Sequence, residues 1–218
     1  MDALRINFDP FVVTGLQRLA SEAFGPEGFA RGLDEVVHVL VHYGTRTFGY
    51  GHKISENKII YKSQGFEDDF STQNLDHWLD EYRNRSYVSG FGTWTTAEIH
   101  VFPNKAGRLD VFDEEHLERM SNGRWHPGGK PAGAATWAQQ LLRYPRTADN
   151  IPSWMWDIFR AEDVTPPIYN PEFNSVDWKN RRRPVTDSGT DFTVEPTLID
   201  PSLEPGVFAK IGKKLFGG

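Results

Sequence analysis

The run Val36-Val37-His38-Val39-Leu40-Val41, followed by Arg46-Thr47-Phe48-Gly49-Tyr50-Gly51-His52 and then by Ile59-Ile60-Tyr61, sets the first architectural choice in this chain. Its β-branched content favours a strand over Glu35 to Tyr43, although Leu33, Val37, Leu40 and Val41 also fit one face of a helix. Strand is the preferred assignment. Gly44, Gly49 and Gly51 suit tight turns, and Ser55-Glu56-Asn57-Lys58 reads as the turn into another short strand. These runs together predict a three-stranded meander. Before it, Asp9-Pro10 is a cap followed by a first-turn proline, and Val12, Leu16, Leu19 and Ala23 recur at helical spacing until Gly25-Pro26. Glu22 thus falls in the last turn of a predicted helix, where the dipole disfavours negative charge and helps to keep a carboxyl protonated.

Further along, Asn74 to Asn84 predicts an amphipathic helix with Leu75, Trp78, Leu79 and Tyr82 on one side. Thr93 to Phe102 alternates like a strand, residues 111–120 look helical, and Gly123 to Gly133 is a Gly/Pro loop. A helix is expected from Ala134 to Arg143 and another from Ser153, with that serine as its cap, ending by Thr165-Pro166-Pro167. Beyond Pro171 apolar residues are isolated, so an extended arm wrapped over the domain, or a disordered tail, is expected. Phe208, Ile211, Leu215 and Phe216, with Lys210, Lys213 and Lys214 around them, suit docking on a partner or a membrane surface, or closing the core. The expected organisation is one domain over residues 1–170 with the arm, 171–218, packed on it. Its expected class is α+β, mainly helical, with a small antiparallel sheet.

The 218 residues carry a net charge of −6 and a pI near 5.6, so no basic field attracts nucleic acid, which is not expected as a partner. The absence of cysteine excludes a disulfide framework, a thiolate zinc site and a cysteine nucleophile. Met1-Asp2-Ala3-Leu4-Arg5 lacks a signal-peptide pattern, and the apolar runs fall well short of the roughly 20 residues that span a bilayer. Aromatics make up 13% of the residues, which suits a groove where sugar rings stack and suits an ordinary core equally.

Glycoside cleavage needs a protonated carboxyl for the leaving oxygen, and a second carboxylate only where water completes the hydrolysis. Glu22, Glu118 and Glu35 are the candidate acids. The order of helix, acid and sheet around Glu22 resembles that of lysozyme-like enzymes, and Leu16 to Glu22 is similar to the catalytic helix of some phage lytic transglycosylases. Thr47 to His52 resembles the Thr-Ile-Gly-Tyr-Gly-His hairpin of phage-type lysozymes at five of six positions, which implies substrate contacts for Thr47, Tyr50 and His52. The position of that family's catalytic Glu is occupied here by Gly32, and the nearest Glu is Glu35. Arg119-Met120-Ser121-Asn122-Gly123 and Pro131 to Gln139 resemble a bacterial lytic transglycosylase signature, with Tyr169-Asn170 as its later element. Its acid falls on Ser121, so Glu118 would have to substitute, and Gln139 and Tyr169 would bind substrate.

His38 and His42, four apart and near His52, would serve a metal peptidase, but no His-Glu-x-x-His arrangement is present, and neither a metal nor another cofactor is expected. There is no Gly-x-Ser-x-Gly elbow and no P-loop. Arg181-Arg182-Arg183 fits a solvated charge run or a docking site for an acidic partner.

As a whole, the chain resembles the murein-degrading lytic enzymes of cystoviruses, the enveloped double-stranded RNA bacteriophages. The likeness lies in its length, its aromatic content, the Glu22 to Tyr61 region and the end Pro205-Gly206-Val207-Phe208-Ala209-Lys210-Ile211-Gly212-Lys213-Lys214-Leu215-Phe216-Gly217-Gly218. The resemblance implies a virion component that acts on peptidoglycan in the host periplasm, during entry and again at lysis. Its partners would be glycan strands and, through the arm, other virion proteins. Two activities fit: a lysozyme-like lytic transglycosylase that cuts between N-acetylmuramic acid and N-acetylglucosamine through one Glu, and an endopeptidase of the peptide cross-bridge, which the His residues would serve. A non-enzymatic structural protein of the virion is the third expectation.

Overall fold

The computed structural model describes residues 6–43, 46–56, 58–64, 70, 72–115 and 132–203, with 38–43, 46–54, 58–64 and 72–74 described for their backbone alone. Helix α1 (Pro10–Phe24) begins as expected, with the Asp9 carboxylate accepting from the Phe11 amide at 2.8 Å and a proline in the first turn. It ends where the Gly25 amide donates to the Ser21 carbonyl. Its buried stripe, Val12, Leu16, Leu19 and Ala23, packs with Leu75, Trp78 and Leu79 of α2 (Thr72–Ser86). Gly15 makes that approach close, because a Cβ there would overlap the Trp78 indole.

Beneath these helices lies a five-stranded antiparallel sheet of β1 (Glu35–Tyr43), β2 (Arg46–Ser55), β3 (Lys58–Gln64), β4 (Thr96–Val101) and β5 (Arg108–Phe112), in the order β3-β2-β1-β4-β5. The meander over residues 35–64 is therefore present, and β1 is its inner edge, paired on its other side with β4. Strand alternation divides β4 and β5: Ala97, Ile99, Val101 and Leu109 join Val36 in the core under α1 and α2, while Glu98, His100, Arg108 and Asp110 occupy the opposite face. Residues 111–120 do not start as the helix expected of them. Val111 and Phe112 complete β5 opposite Ala97 and Thr96, and 116–120 lie outside the described residues.

Helix α3 (Ala134–Arg143) has the bounds expected of it. The Ala134 amide at its N-terminus donates to Glu162 Oε1 at 2.9 Å, and Gly133 leaves the room, since a Cβ would lie 2.6 Å from that oxygen. Helix α4 (Ser153–Ala161) starts at Ser153, but Pro152 holds the cap position and no side chain caps the helix, which corrects the expectation for that serine. Trp137, Leu141, Ile151, Met155 and Phe159 form a second core between α3 and α4.

Residues 168–203 overturn the expected arm. They form a second five-stranded antiparallel sheet of β6 (Ile168–Asn170), β7 (Ser175–Trp178), β8 (Arg181–Thr186), β9 (Gly189–Thr190) and β10 (Thr197–Leu198), ordered β10-β8-β7-β6 with β9 on β8. Lys179 and Asn180, both left-handed at φ 51° and 57°, make the two-residue turn between Trp178 and Arg181, which suits the twist of a hairpin. Val176 and Val185 pack on Leu142 of α3, while polar groups do much of the remaining tying: Arg182 pairs with Asp177 at 2.7 Å, and Asn180 holds both the amide and the carbonyl of Asp200. Among the described residues there are thus two five-stranded sheets beside four α-helices. The expectation of a mainly helical, lysozyme-like fold with one small sheet is incorrect.

Two buried arginines join the halves. Arg83 of α2 donates to Gln140 Oε1 of α3 at 2.7 Å and lies over the rings of Trp94 and Tyr144. Burial pulls its pKa down to about 10. Arg146 donates to both carboxylate oxygens of Asp113 and to the carbonyls of Thr93 and Asn150, and its own carbonyl receives the Tyr169 amide.

Candidate functional site

The polar face of the first sheet gathers the titratable side chains. Glu98 and His100 are two apart on β4 and so point the same way, and the register sets Asp110 opposite Glu98 and Arg108 opposite His100. On the other flank Val39 and Val37 of β1 pair with the same two residues. Glu35, at the start of β1, reaches back so that its Oε1 lies 2.8 Å from His100 Nδ1. His100 Nε2 is 3.0 Å from Arg108 Nη2 and 3.6 Å from Glu98 Oε2, and Arg108 Nε donates to Asp110 Oδ2 at 2.6 Å. Glu98 is buried, the His100 side chain is 13% exposed, and Arg108 at 54% forms the solvent side of the group.

Burial alone would lower the His100 pKa, but the hydrogen bonds to Glu98 and Glu35 outweigh it and hold the imidazolium above its usual range. With Nδ1 committed to Glu35, proton exchange is left to Nε2. The charged ring suits the Glu98 carboxylate, and the neutral ring offers its lone pair to the Arg108 guanidinium. A histidine oriented by a carboxylate in this way can take up and return a proton.

Of the residues singled out in the sequence, Glu35 is a member of this group. Glu22 is not, because it belongs to α1, which packs on the Ala97–Ile99–Val101 face. Glu118 lies outside the described residues. Thr47, Tyr50 and His52 belong to β2, and their side chains lie outside the described residues; the backbone register pairs Thr47 with His42, carries Tyr50 across Val39 to Glu98, and carries His52 across Val37 to His100. His38 and His42 are on β1, so they do not share a helical turn.

Gln139 and Tyr169 fall elsewhere, in grooves beside the second sheet. Gln139 lines a groove of about 700 Å³ with Phe159, Glu162 and Asp163, and Tyr169 lines one of about 620 Å³ with Asn170 and Asp177. A third, of about 320 Å³, is walled by Leu142, Arg181, Arg183 and Phe192. Trp178 and Lys179 line all three, with the ammonium 4.1 Å over the indole. The sequence had singled out none of Glu98, His100, Asp110, Arg108 or Trp178. The available signal was Glu98-x-His100 within a strand-like alternation, which puts two polar groups on one face of a segment whose other face is apolar.

No protein-family model matches the chain, and a comparison with curated proteins finds no match.

Proposed function

We propose that the chain is a peptidoglycan-degrading enzyme that hydrolyses the peptide cross-bridge, with Glu35, His100 and Glu98 as its acid–base group. The observation that carries this reading is the 2.8 Å contact between Glu35 Oε1 and His100 Nδ1, with Glu98 beyond the ring. The choice of target rests on the sequence resemblance to cystovirus lytic enzymes, which also supports a virion component acting in the periplasm. The choice of bond rests on the chemistry. His100 Nε2 takes a proton from water as the oxygen adds to the amide carbonyl, and the same proton passes to the nitrogen as the C–N bond breaks. Glu35 keeps the ring in the required tautomer. Arg108, 54% exposed and held by Asp110, offers a cation to the charge that develops on the carbonyl oxygen. The grooves around Trp178 supply cations and aromatic faces for the carboxylates and sugar rings of the wall.

Glycosidic cleavage by a single Glu is the second reading. It keeps one observation in its favour, the groove in which Gln139 lies beside Glu162 and Asp163. Purified sacculi digested with the protein separate the two by mass spectrometry of the products. New free amino groups that disappear in Glu35→Gln and His100→Gln are expected. Anhydromuramic ends that persist in those variants would transfer the activity to the second reading, and intact sacculi would leave a structural role in the virion.

A further inference from the structure

We propose that Glu98, His100 and Asp110 form a binding site for a divalent cation of the zinc type, which Arg108 occupies with its guanidinium when no ion is bound. One potential ligand atom from each of the three lies within 4.8 Å of the others, and Glu98 Oε2 and His100 Nε2 are already 3.6 Å apart. Ligands at about 2.0–2.1 Å from a tetrahedral ion stand about 3.3 Å from one another, so side-chain rotations, with no change in strand register, close the set. Two carboxylates and one neutral imidazole match a hard-to-borderline dication in charge and donor type, and leave a fourth position for water.

Two further features point the same way. First, the nitrogen remote from the cluster, His100 Nδ1, is held by Glu35 at 2.8 Å, the carboxylate–imidazole arrangement that fixes a ligating histidine with its other lone pair toward an ion. Second, the cluster already attracts a cation. Arg108 touches two of the three groups, Asp110 Oδ2 at 2.6 Å and His100 Nε2 at 3.0 Å, yet more than half of its side chain faces solvent. An exposed guanidinium is easily exchanged for an ion that offers shorter bonds. The sequence pattern, with no His-Glu-x-x-His, gives no sign of such a site, because its ligands come from two strands in register.

An ion on His100 Nε2 takes the lone pair that serves as base in the reading above, so the ion-bound and acid–base states exclude one another; with the sacculus assay run in chelator, it and a metal titration fail separately. The full chain is titrated with Zn²⁺ by calorimetry and with Co²⁺ by its visible absorption, alongside His100→Ala, Glu35→Gln and Arg108→Gln, with circular dichroism confirming the fold of each. Saturable binding of one ion is expected, with affinity lost in His100→Ala and reduced about 10- to 100-fold in Glu35→Gln. Arg108→Gln removes the competitor and is expected to bind several-fold more tightly. Absence of saturable binding in both the unaltered chain and folded Arg108→Gln would overturn the inference. So would binding that survives His100→Ala unchanged, which would assign the ion to other groups.

Discussion

Replacing Arg83 by methionine, alone and together with Gln140→Leu, tests how the two halves are joined. Arg83 is fully buried, donates to Gln140 Oε1 at 2.7 Å and lies 4.8 Å from the Tyr144 ring centroid and 5.6 Å from that of Trp94. Burial pulls the guanidinium from its ordinary value to about 10, a gap worth about 3 kcal/mol, which measures the desolvation left over after its partners have acted. Methionine has no charge and a chain that ends level with the arginine Nε, so Arg83→Met removes that cost while keeping the apolar stem in place. It also removes the donor from Gln140 Oε1, which costs about 1–3 kcal/mol for a buried acceptor, and the cation–π contacts, worth about 2 kcal/mol when desolvated. The single variant is therefore expected within about 2 kcal/mol of the unaltered protein. Arg83→Met/Gln140→Leu removes charge and acceptor together and is expected to be more stable than either single variant, with a coupling energy of about 1–3 kcal/mol. Urea unfolding with a constant m-value reads both quantities. A double variant less stable than Arg83→Met, or additive single effects, would refute the account of this contact.

The pH dependence of stability should carry the mark of His100. Its pKa is raised by Glu98 and Glu35 against burial, so the folded protein binds its proton more tightly than the unfolded chain does. That stabilisation is complete below the unfolded value, about 6.5, and is lost as pH rises through the higher folded value; His100→Gln should flatten this segment of a plot of urea midpoint against pH. Gly133→Ala places a Cβ 2.6 Å from Glu162 Oε1 and disturbs the contact with the Ala134 amide, so a loss of about 1 kcal/mol is expected by thermal or urea unfolding, with Ala132→Gly as a flanking control. Trp178→Ala should raise the substrate concentration for half-maximal sacculus solubilisation roughly three- to tenfold while leaving the limiting rate unchanged. A fall in the limiting rate alone would remove Trp178 from substrate binding.

What the sequence disclosed was the part governed by local chemistry. The Asp9-Pro10 start and Gly25 stop of α1, the bounds of α3 and the β-branched character of β1 all depend on neighbours within a few residues. The second sheet escaped because its strands are two to six residues long and lean on side chains such as Asn180 and Arg182 in place of an apolar alternation. The helix expected over 111–120 failed for a related reason: Val111 and Phe112 take their conformation from Ala97 and Thr96 across the ladder. Glu35 was visible as a carboxylate near the meander, but its partner His100 is 65 positions away and reaches it only through the pairing of β1 with β4. A long-range register of this kind leaves no periodic trace in one sequence.

Arg146 gives the molecule a fixed internal length. One guanidinium grips Asp113 just after β5 and the Thr93 carbonyl just before β4, and the same residue's backbone receives the first strand of the other sheet at Tyr169. The imidazole on one layer and the indole on the other therefore belong to layers that Arg146 ties together, beside the Arg83 contact with Gln140. Under the proposed activity, a polymer engaged at both would meet two surfaces whose relative placement depends on Arg146.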